Sequence, residues 1–346
     1  MKHQTTRCGE IPFYKIGTFG NTADAFISKK LFLEYKTKYS FPKKGDILIS
    51  ASGTIGRAVI YDGKPAYFQD SNIVWIDNDE TLVKNDFLFY AYSNVKWNTE
   101  HTTILRLYND NFRNTLIPLP PLNEQSAIAN ILSGLDRYLC ALDALILKKE
   151  GVKKALSFEL LSQRKRLKGF NQAWQRVRLG DIANYLISNL SAEQITQQGK
   201  IKVYDVNNFI GYTDTTFISD KPYISIVKDG SVGRVRILPP KTNILSTMGA
   251  LIANHKTTTE FLFYLLSNFD FKNFTSGSII PHIYFKDYKE KTIFLPPLNE
   301  QIAIANILNA LDNEITSLKN KKRQFENIKK ALNHDLMSAK IRVLKK

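Results

Sequence analysis

Two arginines each close a short glycine-bracketed stretch, Gly53-Thr54-Ile55-Gly56-Arg57 and Gly230-Ser231-Val232-Gly233-Arg234. Glycine lets the backbone turn tightly and approach a ligand closely. A guanidinium beside such a turn can grip the N7 and O6 acceptors of guanine together, while Asn or Gln can address adenine. Other side chains able to touch a base or a phosphate stand at corresponding places. Arg106, Tyr108 and Asn109 fall where His282, Tyr284 and Lys286 fall later in the chain; Lys29 and Lys30 match Asp220 and Lys221; Lys228 and Arg236 flank the second glycine turn. For each of these a surface ion pair or a turn role explains the sequence equally well. The glycines themselves read as architecture, because they persist between halves whose other residues differ.

Catalytic patterns are scarce. Transfer to a base amine normally needs an Asn or Asp before Pro-Pro-Tyr/Phe, but the Pro-Pro pairs here follow Leu119, Leu238 and Leu295. There is no Gly-x-x-x-x-Gly-Lys-Ser/Thr loop for nucleotide phosphates and no Gly-x-Ser-x-Gly elbow. His3, His101, His255, His282 and His334 share no metal-ligand spacing, and no Cys-x-x-Cys occurs. One arrangement could hold Mg²⁺ and position a water: Asp24 followed by Glu34-Tyr35-Lys36. Its lysine-rich flanks equally suit a solvated face, so a metal-dependent nuclease is the enzymatic alternative, and a coiled-coil scaffold without DNA specificity is a third.

The 346 residues amount to about two ordinary domains. With 43% apolar and 12% aromatic residues the chain can build packed cores. Forty-eight basic against 32 acidic residues give +16, which suits a polyanionic partner, nucleic acid before an acidic membrane surface. No apolar run approaches the roughly 18 residues that cross a bilayer, and the first residues carry no apolar signal core. Cys8 and Cys140 cannot form a disulfide framework, which points to a reducing cytoplasm. Residues 148–168 hold eight basic and two acidic residues, and residues 319–346 hold ten and two. Most of the excess charge therefore sits in two late helical segments. A solvated helix face explains each cluster, and phosphate contact is the alternative.

These features are positioned by an internal repeat. Leu119-Pro120-Pro121-Leu122-Asn123-Glu124-Gln125 recurs as Leu295-Pro296-Pro297-Leu298-Asn299-Glu300-Gln301, 176 residues later, and the identity runs on through Ala127–Leu132 and Ala303–Leu308. Phe87-Leu88-Phe89-Tyr90 corresponds to Phe261-Leu262-Phe263-Tyr264, and Phe26-Ile27-Ser28 resembles Phe217-Ile218-Ser219. The changing offset places an insertion of 14 residues in the first half. After each proline motif a heptad seam begins: Ile128, Leu132, Leu135, Leu139, Leu142, Ile146, Leu156, Leu160 in one copy and Ile304, Leu308, Leu311, Ile315, Leu318, Phe325, Leu332, Leu336 in the other. Lysines interrupt it at 149 and 153, and at 322 and 329. Such a seam predicts coiled-coil helices of about 40 residues, roughly 60 Å each, with Asn123 or Asn299 as cap. Buried against each other, the two helices must run antiparallel, giving a pseudo-twofold dumbbell. The heads read as mixed α/β, with strands at Gly45–Ser50 and Ile73–Ile76 and short helices at Phe87–Tyr92 and Thr259–Leu266. The expected divisions are 1–118 and 169–294 for the heads, 119–168 and 295–346 for the spacer helices.

Together these features resemble the specificity subunits of Type I restriction–modification enzymes. The matching residues are Gly9–Ile16, Gly45–Arg57 and both Leu-Pro-Pro-Leu-Asn-Glu-Gln segments with their helices. The resemblance implies an α+β fold of two target recognition domains on a coiled-coil spacer. It implies a non-catalytic reader of a bipartite double-stranded DNA target with an unread gap. Two modification subunits would dock on Pro120–Gln125, Pro296–Gln301 and the helix faces, and restriction subunits would join them. S-adenosylmethionine, ATP and Mg²⁺ would belong to those partners, with none in this chain. One departure stands out. The second head opens with Trp174, Val177, Arg178, Leu179, Gly180, Asp181 and Ile182, for which the first head has no counterpart before Gly9 or beyond the second helix. The first head is therefore expected to be incomplete.

Overall fold

The computed structural model describes residues 4–68, 72–97, 106–277 and 279–344, so His3 and His101 lie outside the described residues. The chain divides into two units, residues 1–143 with 320–346, and residues 144–319.

In the first unit, β1 (Ile11–Tyr14), β2 (Ala25–Ile27) and β5 (Tyr67–Phe68) form one sheet in the order β2-β1-β5. A second sheet takes β3 (Ile47–Ser50), β4 (Ala58–Ile60) and β6 (Ile73–Trp75) in the order β4-β3-β6, all antiparallel. After β2 comes α1 (Lys29–Lys38), whose Ser28 cap accepts the Leu31 N–H and whose Phe32 is buried with Ile11, Phe13 and Ile27 of the first sheet. The helices α2 (Asn85–Tyr92) and α3 (Asn109–Arg113) follow, and then α4 (Leu122–Leu161) begins.

The second unit repeats this plan with additions. Its strands are β7 (Gln175–Arg178), β8 (Ala183–Ile187), β9 (Ile201–Tyr204), β10 (Phe209–Thr213), β11 (Tyr223–Val227), β12 (Val235–Leu238), β13 (Asn243–Ile244), β14 (Met248–Ala253) and β15 (Thr292–Leu295). Sheet β10-β9-β13 matches β2-β1-β5, and β12-β11-β14-β8 matches β4-β3-β6 with one strand more. A two-stranded ribbon, β15-β7, has no counterpart among the described residues of the first unit. Helices α5 (Thr259–Ser267), α6 (Phe285–Tyr288) and α7 (Leu298–Met337) complete the series.

The two long helices pair antiparallel inside each unit, with seam residues Ile128, Leu132, Leu142, Ile146, Leu160, Ile304, Leu308, Ile315 and Leu336 buried. Each fully buried Leu or Ile contributes about 1.5–3 kcal/mol, so this seam together with α2 or α5 supplies much of each unit's core. The seam-breaking lysines carry the register: Lys153 meets Asp312 (2.5 Å) and Lys149 meets Glu314 (2.8 Å) in the second unit. In the first, Lys322 meets Asp143 (2.7 Å) and Lys329 meets Asp136.

Two expectations need correction. The partner of Phe26 in the repeat is Tyr212, because Thr6 bridges Phe26 as Thr196 bridges Tyr212 and Gly9 abuts Phe26 as Gly199 abuts Tyr212. Phe217–Ser219 is instead a loop held by Thr242 and Lys241. Lys29 and Lys30 therefore do not match Asp220 and Lys221. They begin α1, a helix that does not recur between β10 and β11 of the second unit. The long helices also start one residue before Asn123 and Asn299, at Leu122 and Leu298. Each Asn side chain accepts the N–H of the following Glu at 2.9 Å.

Candidate nucleic-acid interface

Each unit presents a β-hairpin turn locked to a segment from late in the same unit. In the second unit, Gly233 (φ +79°) closes the β11–β12 turn by donating to the Val227 carbonyl, and Phe271 lies against its Cα, where a side chain would not fit. The turn is then stitched to residues 281–283. Gly230 N–H donates to Pro281 O and Ile283 N–H to Lys228 O, both at 2.9 Å. The His282 Nδ1 and the Asp229 carboxylate lie 2.7 Å apart. This brings Lys228, Arg234, His282, Tyr284 and Lys286 to one locality. Arg234 is exposed, Tyr284 is 49% exposed, and the Lys286 ammonium stands 5.5 Å from its ring centroid. Arg236 is less free: it donates to Asn207 O (2.9 Å) and lies over the Tyr204 ring.

The first unit builds the same junction from other side chains. Gly56 (φ +79°) donates to Ser50 O and has Trp97 against it. Leu107 N–H donates to Ala51 O at 2.8 Å, and Ser52 bridges Arg106 where Asp229 bridges His282. Asn72 Oδ1 accepts from both Ser52 Oγ (2.8 Å) and Arg106 (3.3 Å). Tyr108 is 42% exposed and Asn109 begins α3. Arg57 departs from the role read for it. Half-buried, it donates to Phe19 O at 2.9 Å and so ties the Lys15–Asn21 turn to the hairpin. Lys29 and Lys30 are exposed on α1, and Glu10 takes the Lys29 N–H, which fastens that helix start to β1 rather than to the hairpin turn. Ser52, Asn72 and Asp229 were missed from sequence. Ser52 and Asp229 share the offset of the glycine turns, which is the signal that could have found them.

Of the lysine-rich helix segments, Lys149, Lys153, Lys322 and Lys329 are spent in the pairs above and Lys319 on Glu150 at 2.6 Å, whereas Lys148, Lys154, Lys321 and Lys330 are exposed. Two further contacts repeat. Tyr90 donates to Asp136 and Tyr264 to Asp312, at 2.8 and 2.9 Å, and burial first, then the carboxylate, pushes both phenols up. The lysine that pairs each Asp sits 5.7 Å over the same tyrosine ring.

The proline motif anchors each long helix. Gln125 donates to Leu82 O (2.9 Å) and Pro120 O (2.8 Å) and accepts the Lys84 N–H (2.8 Å). Gln301 donates to Lys256 O and Pro296 O and accepts from Thr257 and Thr258. Among side chains only the amide of Asn or Gln offers two donors and a carbonyl acceptor together. Glu300 takes Arg166 through two nitrogens and Trp174 Nε1 at 3.0 Å. Glu124 takes Arg342, 176 residues after Arg166, and that guanidinium holds its carboxyl below the usual carboxylate range. Glu124, Gln125, Glu300 and Gln301 are buried, so as docking side chains they are corrected: they face their own unit. Leu122, Asn123, Leu298 and Asn299 are exposed, as is Pro121, while Pro120 and Pro297 are half-buried and Pro296 is buried.

Two members of the nuclease constellation have other partners. Asp24 pairs with Lys15 at 2.8 Å, Lys36 lies over Phe41, and no group of three or more His, Cys, Asp or Glu able to hold a metal occurs among the described residues. No helix there is long and apolar enough to cross a membrane.

With this geometry established, comparison with known proteins gives a consistent result. The family model described as "Type I restriction modification DNA specificity domain" matches residues 2–149 and 171–327. A Haemophilus influenzae protein named "Putative type I restriction enzyme specificity subunit S.HindORF215P" is 65% identical over 133 residues, 38% of this chain and 34% of that protein. The chain thus matches about a third of that relative's length. The Methanocaldococcus jannaschii Type I restriction enzyme MjaVIII specificity subunit is 25% identical over 362 residues, covering 92% and 84% of the two chains. Among solved structures, the S subunit of a Type I restriction–modification system from M. genitalium shares the fold, with TM-score 0.64 at 20% identity, over 97% of this chain and 91% of that one. With both halves matched, the chain belongs to the Type I restriction–modification DNA specificity family.

Proposed function

We propose that this chain is the recognition subunit of a Type I restriction–modification complex, reading two short DNA half-targets separated by an unread gap and performing no chemistry itself. The observation that carries this reading is the hairpin-to-late-segment junction, built twice with the same glycines and different polar residues. A shared scaffold with substituted contacts is what two readers of different half-targets require, since phosphate contacts position and base contacts specify. Each head would enter a major groove, and two turns of duplex at about 34 Å per turn suit helices of about 60 Å.

Modification subunits would dock on the exposed Pro121, Leu122, Asn123, Leu298 and Asn299 and on the adjoining helix faces. They would carry the S-adenosylmethionine chemistry, restriction subunits would use ATP and Mg²⁺, and the complex would work in the cytoplasm. Because Lys149, Lys153, Lys319, Lys322 and Lys329 are paired within the long helices, part of the phosphate neutralisation would fall to those partners. Methylation mapping of DNA from cells expressing this chain with its modification subunit tests the whole reading. A split methylated motif is the expected result; Mg²⁺-dependent cutting by the lone chain would favour the nuclease instead.

A further inference from the structure

The two units differ at one place in a way that the second unit itself explains. There, the stretch from Trp174 to Ile187 fills a groove. Strand β7 pairs with β15, β8 adds to the outer edge of β14, and between them Leu179 and Ile182 are fully buried among Leu262, Leu266, Phe271, Tyr288 and Ile293. Leu179 and Gly180 also donate to the Lys291 and Lys289 carbonyls.

Among the described residues, the first unit has the groove without the filling. The residues corresponding to those five are Leu88, Tyr92, Trp97, Phe112 and Ile117, and they line a cavity of about 230 Å³ together with Ile76. An apolar cavity of about 150 Å³ is enough to take benzene, so this one accommodates aliphatic side chains. Both flanking edges are open as well. Among the described residues no strand lies beyond β6, and residues 116–119, the counterpart of β15, pair with no strand there, leaving Leu116 93% exposed. An open strand edge beside an apolar groove is a template for strand addition.

We propose that this groove is a docking site for a peptide segment of the kind that fills it in the second unit. Such a segment is a strand, a short turn placing an aliphatic residue at each of two positions three apart, and a second strand. The occupant's backbone would extend the β4-β3-β6 sheet past β6 and pair with residues 116–119. Its two aliphatic side chains would take the positions that Leu179 and Ile182 take in the second unit. The proposal concerns packing alone and stands whether or not the heads read DNA.

The test uses the full chain and a fluorescein-labelled synthetic peptide with the sequence of residues 173–188, read by anisotropy. Saturable binding of one peptide per chain is expected. Ile76→Asp and Ile117→Asp in the chain should each weaken it at least tenfold, with an unchanged far-ultraviolet spectrum and urea midpoint as the folding control. A peptide carrying Leu179→Asp and Ile182→Asp should lose binding to the unaltered chain, which keeps the test decisive if a chain variant fails to fold. No saturation up to about 1 mM peptide, or binding indifferent to all four substitutions, overturns the proposal. Self-association of the chain through its own 173–188 segment would make the occupant a second copy and overturn it equally.

Discussion

At the scale of single residues, Arg234 and Arg57 show how one sequence position diverges in use. Both follow the second glycine of a hairpin turn, but Arg57 is drawn inward by the Phe19 carbonyl while Arg234 stays exposed. Arg234→Ala is therefore expected to relax one half-target, by about 1–3 kcal/mol at one base position, as read in methylation profiles. Uniform weakening across sequences would make it a phosphate contact. Gln125 poses the opposite case, a side chain that no ligand reaches. Gln125→Glu turns a donor toward Leu82 O and Pro120 O into a second acceptor. A buried group left unsatisfied costs about 1–3 kcal/mol, more when charged. The urea midpoint should fall accordingly at constant slope, and Gln301→Glu should do the same through Lys256 O and Pro296 O. A midpoint unchanged by either substitution would show that the amide clamp contributes nothing.

At the scale of elements, the long helices hold their register through charge as well as apolar contact. Asp136 receives Tyr90 and Lys329, and Asp312 receives Tyr264 and Lys153. Asp136→Asn and Asp312→Asn are each expected to destabilise by about 1–2 kcal/mol, because a charge-assisted bond is replaced by a neutral one. The two losses should add, since the clusters share no partner; a coupling above about 0.5 kcal/mol would contradict independence. Elsewhere the repeat is broken on purpose. The 176-residue offset carries Lys149 onto Phe325 and Tyr138 onto Glu314, so one crossing is an ion pair and the other a ring pair with centroids 4.7 Å apart. Much of this was legible in the sequence, because a heptad period and a long identity survive divergence. The strands of three to five residues are too short to show a period, so sequence alone sets β2 against a loop rather than β10. The carboxylates that answer the seam lysines were also invisible, since pairing across 159 or 193 positions leaves no local pattern. Arg342 was overlooked although it stands at the repeat's own offset from Arg166, because its neighbours have diverged.

At the scale of the whole molecule, connectivity gives the spacer reading its sharpest test. The second unit is the unbroken stretch 144–319, so the chain passes from one unit to the other only at 143/144 and 319/320. Both points lie inside helices, α4 and α7. Inserting seven residues at each point adds about two turns, roughly 10 Å of rise per helix. Seven keeps the seam facing its partner to within about 20°, and each unit keeps its own Lys–Asp pairs because none spans the insertion points. If helix length sets the unread gap, the methylated motif should lengthen by about three base pairs at about 34 Å per ten, with both half-targets unchanged. Inserting seven residues into α4 alone gives the paired helices unequal lengths between the two sets of Lys–Asp contacts. That variant is expected to fold poorly, whereas the doubly lengthened chain should melt like its parent. A gap that stays constant in the double variant, or a half-target that changes, would detach recognition spacing from the helices and place it in the heads.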